Sequence, residues 1–175
     1  MKKNWYAIYT KPHCEKKVAS LLSKKKIENY CPLNRILANF STNKKKISFE
    51  PLLSTFVFVY VNDLEMNLVK RTDHVIDFVY WLGKPAIIQN DEILKLQYFT
   101  NKFSNLVLEK TVVNRFEIGK QSSEPKIDIN RKFVYLNDSH IELYLPSLGY
   151  RIIAEIRSTK TDIFYKGVEG SKLAF

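Results

Sequence analysis

This chain is poor in the residues that usually announce catalysis. It has two cysteines, Cys14 and Cys31, and three histidines in 175 residues. Two cysteines cannot build a disulfide framework. His13, Cys14, Cys31, His74 and His140 include no CxxC or HxxxH spacing of the kind that holds zinc, so no metal or cofactor is expected. The five glycines form no phosphate-cradling loop, and there is neither a nucleophile elbow nor a paired-carboxylate motif. No run approaches the roughly 18 apolar residues of a spanning helix, which argues against a membrane protein. The opening MKKNWYAIYTKPH lacks the apolar region and small-residue cleavage site of a secretory signal, and the expectation is an intracellular chain with reduced thiols. Internal repeats and low-complexity tracts are also missing.

What is present is a globular mixture, 45% hydrophobic and 26% charged, with a strong basic excess: a formal charge of +10 and a pI near 9.5. That balance favours a polyanionic partner, nucleic acid first. The chain is organised around Glu50 to Asn62, EPLLSTFVFVYVN. In a strand, Phe56, Phe58 and Tyr60 fall on one face and Val57, Val59 and Val61 on the other. One face can pack on helices while the other meets a partner; the alternative is that both are core.

Around this strand the pattern alternates. Asn4 to Thr10 reads as a first strand, followed by a helix with Pro12 in its first turn and Val18, Leu21 and Leu22 as its buried stripe. Ile27 to Leu33 and Arg35 to Phe40 read as strands, Ser41 to Lys46 as a basic hairpin tip, and Ile47 to Leu52 as the returning strand. Asp63 caps a short helix to Arg71. His74 to Trp81 is strand-like, and Asn90-Asp91-Glu92 opens a helix whose stripe runs to about residue 109. Residues 114–131 lose periodicity and read as a linker or the degenerate start of a second module. Residues 132–175 read as a small all-β module with strands near 132–136, 141–145 and 150–156.

Four blocks in register resemble the NusG family of transcription elongation factors, and more closely its RfaH-like and UpxY-like specialised paralogs. They are Trp5-Tyr6-Ala7-Ile8-Tyr9-Thr10-Lys11-Pro12 with Glu15-Lys16-Lys17-Val18 behind; Tyr30-Cys31-Pro32-Leu33; Pro51 to Val59; and Val75 to Trp81 with Gly83-Lys84-Pro85-Ala86-Ile87-Ile88. The chain departs from the family at Leu53, Ser54, Phe56 and His74. The family's small KOW barrel should begin near Phe116 to Gly119, but Lys120 to Asn130 lacks its glycine–proline hairpin. The resemblance implies an α+β fold (an α/β sandwich): an NGN-like domain over 1–113, with a central, mainly antiparallel sheet and flanking helices, then a degenerate KOW or SH3-like barrel over 132–175.

It also implies a mechanical rather than a chemical role. Such a protein sits on the clamp helices of RNA polymerase, suppresses pausing and termination, and in the UpxY-like relatives acts on specific long operons. By position, the polymerase-binding residues are Tyr9, Leu53, Phe56, Phe58, Trp81, Ile93 and Leu96; the alternative for each is core packing. Lys11 and Lys17 match positions that contact the displaced non-template DNA strand. His13, Lys16, Arg71 and Thr72 complete a groove for single-stranded phosphates, with His13 stacking on a base. Lys44, Lys45 and Lys46 reach duplex DNA by charge, while Lys24 to Lys26 read as a solvated helix face. The resemblance further implies a cytoplasmic, nucleoid-associated monomer whose second module meets the ribosome or another factor. Whether that module masks the polymerase-binding face, as in RfaH, the sequence leaves open. Two rivals remain: a general basic RNA-binding or ribosome-associated protein, indifferent to Tyr9→Ala or Phe56→Ala, and a cysteine-dependent enzyme, which would fail with Cys14→Ser.

Overall fold

A computed structural model describes residues 2–39, 45–110, 134–137 and 140–155. Lys44, the stretch 114–131 and the end of the chain from residue 156 lie outside the described residues, as does the side chain of Lys45.

Among the described residues, the structure is a mixed α/β arrangement with three helices and antiparallel sheets. Its centre is β1 (Asn4–Thr10), paired from Asn4 to Tyr9 with β5 (Phe56–Val61). The register sets Trp5 against Tyr60, Ala7 against Phe58 and Tyr9 against Phe56. β2 (Glu28–Tyr30) extends the sheet beyond β5, and β6 (Val75–Phe78) and β9 (Ile87–Ile88) share the other edge of β1.

Alternation along β1 and β5 assigns the two faces. Tyr6, Ile8, Val57, Val59 and Val61 form one cluster with Val18 and Leu22 of α1 (Glu15–Lys24) and Val69 of α2 (Asp63–Lys70). Trp5, Ala7 and Phe58 face the other way, against Ile93, Leu96 and Phe99 of α3 (Asn90–Lys102). β3 (Leu33–Asn39) and β4 (Lys45–Pro51) form a separate hairpin, and β7 (Tyr80–Trp81) with β8 (Lys84–Pro85) a smaller one.

Three expectations change. Asn62, not Asp63, caps α2: its Oδ1 accepts the Leu64 and Glu65 amides at 3.0 and 3.1 Å, and Glu65 returns a bond to the Asn62 amide in a capping box. The strand expected over 74–81 breaks after Phe78. The Val79 amide still bonds the Ala7 carbonyl, while Tyr80 and Trp81 turn away to pair with β8.

The third change concerns α3, which stops at Lys102 although Phe99, Phe103 and Leu106 continue a helical spacing. Tertiary bonds override the periodicity. Asn105 takes φ +54, its amide donates to the Arg35 carbonyl at 2.9 Å, and its Oδ1 accepts the Leu37 amide at 2.8 Å. The chain is thereby bent onto the β3–β4 hairpin and released as a strand, β10 (Val107–Lys110).

β10 belongs to the second sheet, of order β10-β13-β12-β11, with β11 at Val134–Asn137, β12 at His140–Leu145 and β13 at Tyr150–Glu155. The span 1–113 therefore contributes a strand to the sheet of the C-terminal part. Arg151 ties three strands together, bonding Glu109 through Nε and Nη2 at 2.8 and 2.6 Å and Glu142 at 3.2 Å. Ile141, Leu143, Leu145, Ile152 and Ala154 join the same buried cluster as α3 and the Phe58 face.

Candidate nucleic-acid and protein interface

The proposed polymerase-binding residues divide by burial. Tyr9 is 39% exposed and its ring lies 4.9 Å from that of Phe56, tilted by 45°, at the end of the central sheet. Trp81 is 70% exposed on β7. Leu53, Phe58, Ile93 and Leu96 are buried in the cluster shared by the central sheet, α3 and the second sheet. A side chain enclosed in this way packs its own fold and offers nothing to a partner until its cover moves, so in this arrangement these four are core. The Tyr9–Phe56 pair borders a cleft of about 310 Å³, also lined by Val79, Lys110, Leu148 and Tyr150.

Ser147, in the turn between β12 and β13, also lines the cleft. In that turn the Leu148 and Gly149 amides bond the Leu145 carbonyl, and Gly149 takes φ +67, a left-handed conformation that glycine adopts without a Cβ penalty. The Ser147 hydroxyl donates to Glu92 Oε1 at 2.8 Å. Glu92 was legible only as an acid in the first turn of a helix, and nothing in its spacing disclosed that it is buried beneath another sheet.

The basic residues are set by the corner where β1 ends. The Thr10 amide bonds the Thr55 carbonyl, and the Lys11 amide bonds the His74 carbonyl at 2.9 Å. Buried Glu15 accepts the Thr55 amide at 2.7 Å, pinning the first turn of α1. Thr55, His13 and His74 all take positive φ, so three non-glycine residues accept a costly backbone to make this junction tight. It brings Lys11 and His13, both exposed, beside the loop that holds exposed Arg71.

Lys17 stands exposed on α1. Lys16 bonds the Phe49 carbonyl and so leans toward the hairpin, where Lys46 is exposed. Thr72 differs from the rest. It is buried, accepts from Lys25 Nζ at 2.8 Å and donates to the Leu68 carbonyl, so its hydroxyl is committed inside the fold. Lys25, expected on a solvated face, is half-buried by the same bond.

Burial pushes the Cys31 thiol up to about 11, with Glu15 adding to the rise, the reverse of the thiolate stabilisation that a reactive cysteine needs.

A family model described as "Transcription termination factor nusG" matches residues 3–97. Among solved structures, the chain is similar to NusG of Thermotoga maritima, from a structure described as "Domain interaction in Thermotoga maritima NusG". The identity is 20% and the TM-score 0.47, over 89% of this chain and 94% of that one. No curated protein matches.

Proposed function

The chain belongs to the NusG family, whose members are transcription factors that bind RNA polymerase, and from that premise we propose that it is an antitermination factor of the specialised RfaH-like or UpxY-like type. It docks on the polymerase clamp helices through Tyr9, Phe56 and Trp81 and suppresses pausing and termination on specific long operons. It works in the cytoplasm as a monomer, associated with the nucleoid through the transcription complex.

The observation that carries this reading is the Tyr9–Phe56 pair, two aromatic rings in contact and still partly open to a partner at the end of a sheet in which Trp5, Tyr6, Phe58 and Phe78 are buried. Aromatic anchors of this kind are worth about 2 kcal/mol or more at an interface centre. In the free chain the second sheet covers the inner part of this face, and the clamp displaces it, which exposes Leu53, Phe58, Ile93 and Leu96 as the rest of the docking surface. Lys11, His13, Lys17 and Arg71 then lie along the non-template strand, while Lys16 and the lysines of the hairpin contact DNA by charge. The displaced C-terminal module is left free to meet the ribosome or another factor.

The test is a pull-down of core RNA polymerase by the full chain and by a folded Tyr9→Ala, Phe56→Ala, Trp81→Ala variant. Capture by the wild type, lost in the variant, supports clamp docking. Equal capture by both, or tight RNA binding without any capture of polymerase, rejects it and favours a general RNA-binding protein.

A further inference from the structure

Among the described residues, the second sheet lies over α3 through an apolar cluster, and at Glu92 it adds a polar contact that is poorly matched to its surroundings. Glu92 is only 6% exposed. Its Oε1 accepts the Ser147 hydroxyl at 2.8 Å and the Ser147 amide at 3.4 Å, while Oε2 is buried with no partner. A carboxylate has about four acceptor sites, and here one whole oxygen has no protein partner.

Among the described residues, the charged groups acting on Glu92 lie on its own helix. Asp91 repels it, and Lys95, whose charge acts in its favour, is bound to Asp91 at 2.8 Å. From the second sheet, the turn presents the neutral Ser147 hydroxyl and amide. The nearby Asn90 side-chain Oδ1 accepts the Trp5 indole N–H at 3.2 Å. Separation of the sheets returns both carboxylate oxygens to water, and the cleft beside Ser147 already reaches the edge of the contact.

We propose that Glu92 is a built-in release element: its half-bonded carboxylate beneath the Ser147 turn offsets part of the apolar attraction and holds the second sheet close to departure. This deepens the preceding reading and rests on it for its purpose, because a docking face under a firmly closed sheet cannot be claimed by a partner. The ion is destabilised by burial first, with the Ser147 bonds opposing, so the carboxyl is raised above its ordinary range. The sign follows. Protonation favours closure fully below the ordinary carboxylate range, and this contribution is lost as pH rises through the raised value. Closure is therefore tightest in acid and loosest at neutral pH.

The test uses the full chain with Cys14→Ala and Cys31→Ala and a reporter Ala154→Cys, a position wholly buried in the shared cluster. When reclosing is fast, the rate of thiol labelling, corrected for thiolate fraction, reads the open population. Glu92→Gln keeps an acceptor for Ser147 and removes the charge; labelling at neutral pH should slow by about tenfold, because a neutral amide costs less to bury than the ion, and its acid dependence should flatten. Ser147→Ala, which strips the carboxylate of its hydroxyl donor, should speed labelling severalfold.

Glu92→Gln labelling as fast as the parent or faster would overturn the proposal, because the Glu92–Ser147 bond would then be a clasp. So would labelling that follows global stability in urea one for one. Polymerase capture by Glu92→Gln separates the two claims: slowed labelling with unchanged capture keeps the release element and removes the masking reading.

Discussion

The sharpest structural prediction concerns Asn34, on β3 of the hairpin. Its Nδ2 donates to the Leu106 carbonyl and its Oδ1 accepts the Leu106 amide, both at 2.9 Å, and both residues are buried. One side-chain amide thus replaces a rung of sheet ladder and holds the hairpin to the segment that leads from α3 into the second sheet. Asn34→Ala removes two bonds worth about 0.5–1.5 kcal/mol each and leaves the Leu106 amide and carbonyl short of partners, for a loss of about 2–4 kcal/mol. Urea unfolding should show the midpoint falling with little change in slope. Asn34→Asp is the more searching variant. Above its pKa the new oxygen faces the Leu106 carbonyl, acceptor against acceptor, and a charge is buried. Once protonated it donates as the amide did. The folded-state pKa is therefore raised, so stability relative to wild type is present at low pH and lost as pH rises through the raised value. An Asn34→Ala loss below about 0.5 kcal/mol, where surface substitutions fall, or an Asn34→Asp deficit that does not shrink in acid, would refute the clasp.

Two further outcomes are expected. If Lys11 and Lys17 each neutralise a phosphate of the non-template strand, Lys11→Ala and Lys17→Ala should each flatten the log-affinity against log-salt slope by about 0.7–1 unit, measured on a polymerase complex with the strand displaced; a parallel shift with unchanged slope removes that role. In alkali, the Tyr30 phenol, pushed up to about 12 by burial, and the Cys31 thiol, pushed up to about 11 by burial, both favour the folded state while protonated. Their contribution is complete below their ordinary values and lost as pH climbs through 11 and 12, so Tyr30→Phe and Cys31→Ala should each flatten part of the alkaline loss of stability, read from urea midpoints and the phenolate absorbance.

Strand β5 was legible because period-two alternation is a local property: the valines at 57, 59 and 61 were bound to share a face, and α1 and α2 cover them. The buried stripe of α1 was equally plain from Val18 and Leu22, but its start was not: the helix begins at Glu15, with Cys14 rather than a residue before Pro12 at its N-cap. The end of α3 was not, because Phe103 and Leu106 satisfy a helical spacing while Asn105 answers to Arg35 and Leu37 some seventy positions away. The cap of α2 was misplaced by one residue because Asn62 and Asp63 are both good caps, and only the backbone decides which one stands outside the first turn. Thr72 had the right type and location for a phosphate contact, yet its hydroxyl is taken by Lys25 and Leu68. A side chain's partners cannot be read from its own neighbourhood in sequence.

The aromatic face shows why core and contact could not be separated beforehand. Phe56 and Phe58 are two positions apart on one strand with the same chemistry and the same orientation, but Phe58 is sealed, while Phe56 ends the row beside Tyr9 at an open cleft. What divides them is where α3 and the second sheet stop, and β12 and β13, which supply part of that cover, come from more than eighty residues downstream. A face with removable cover must be apolar enough to stay dry when closed and when docked, so its residues cannot differ in type between the two states. The information that distinguishes them has to lie in the cover's attachment instead. In the proposed release, a polar part of that attachment among the described residues is Glu92 beneath Ser147, where Oε2, buried without a hydrogen-bond partner, weighs against closure.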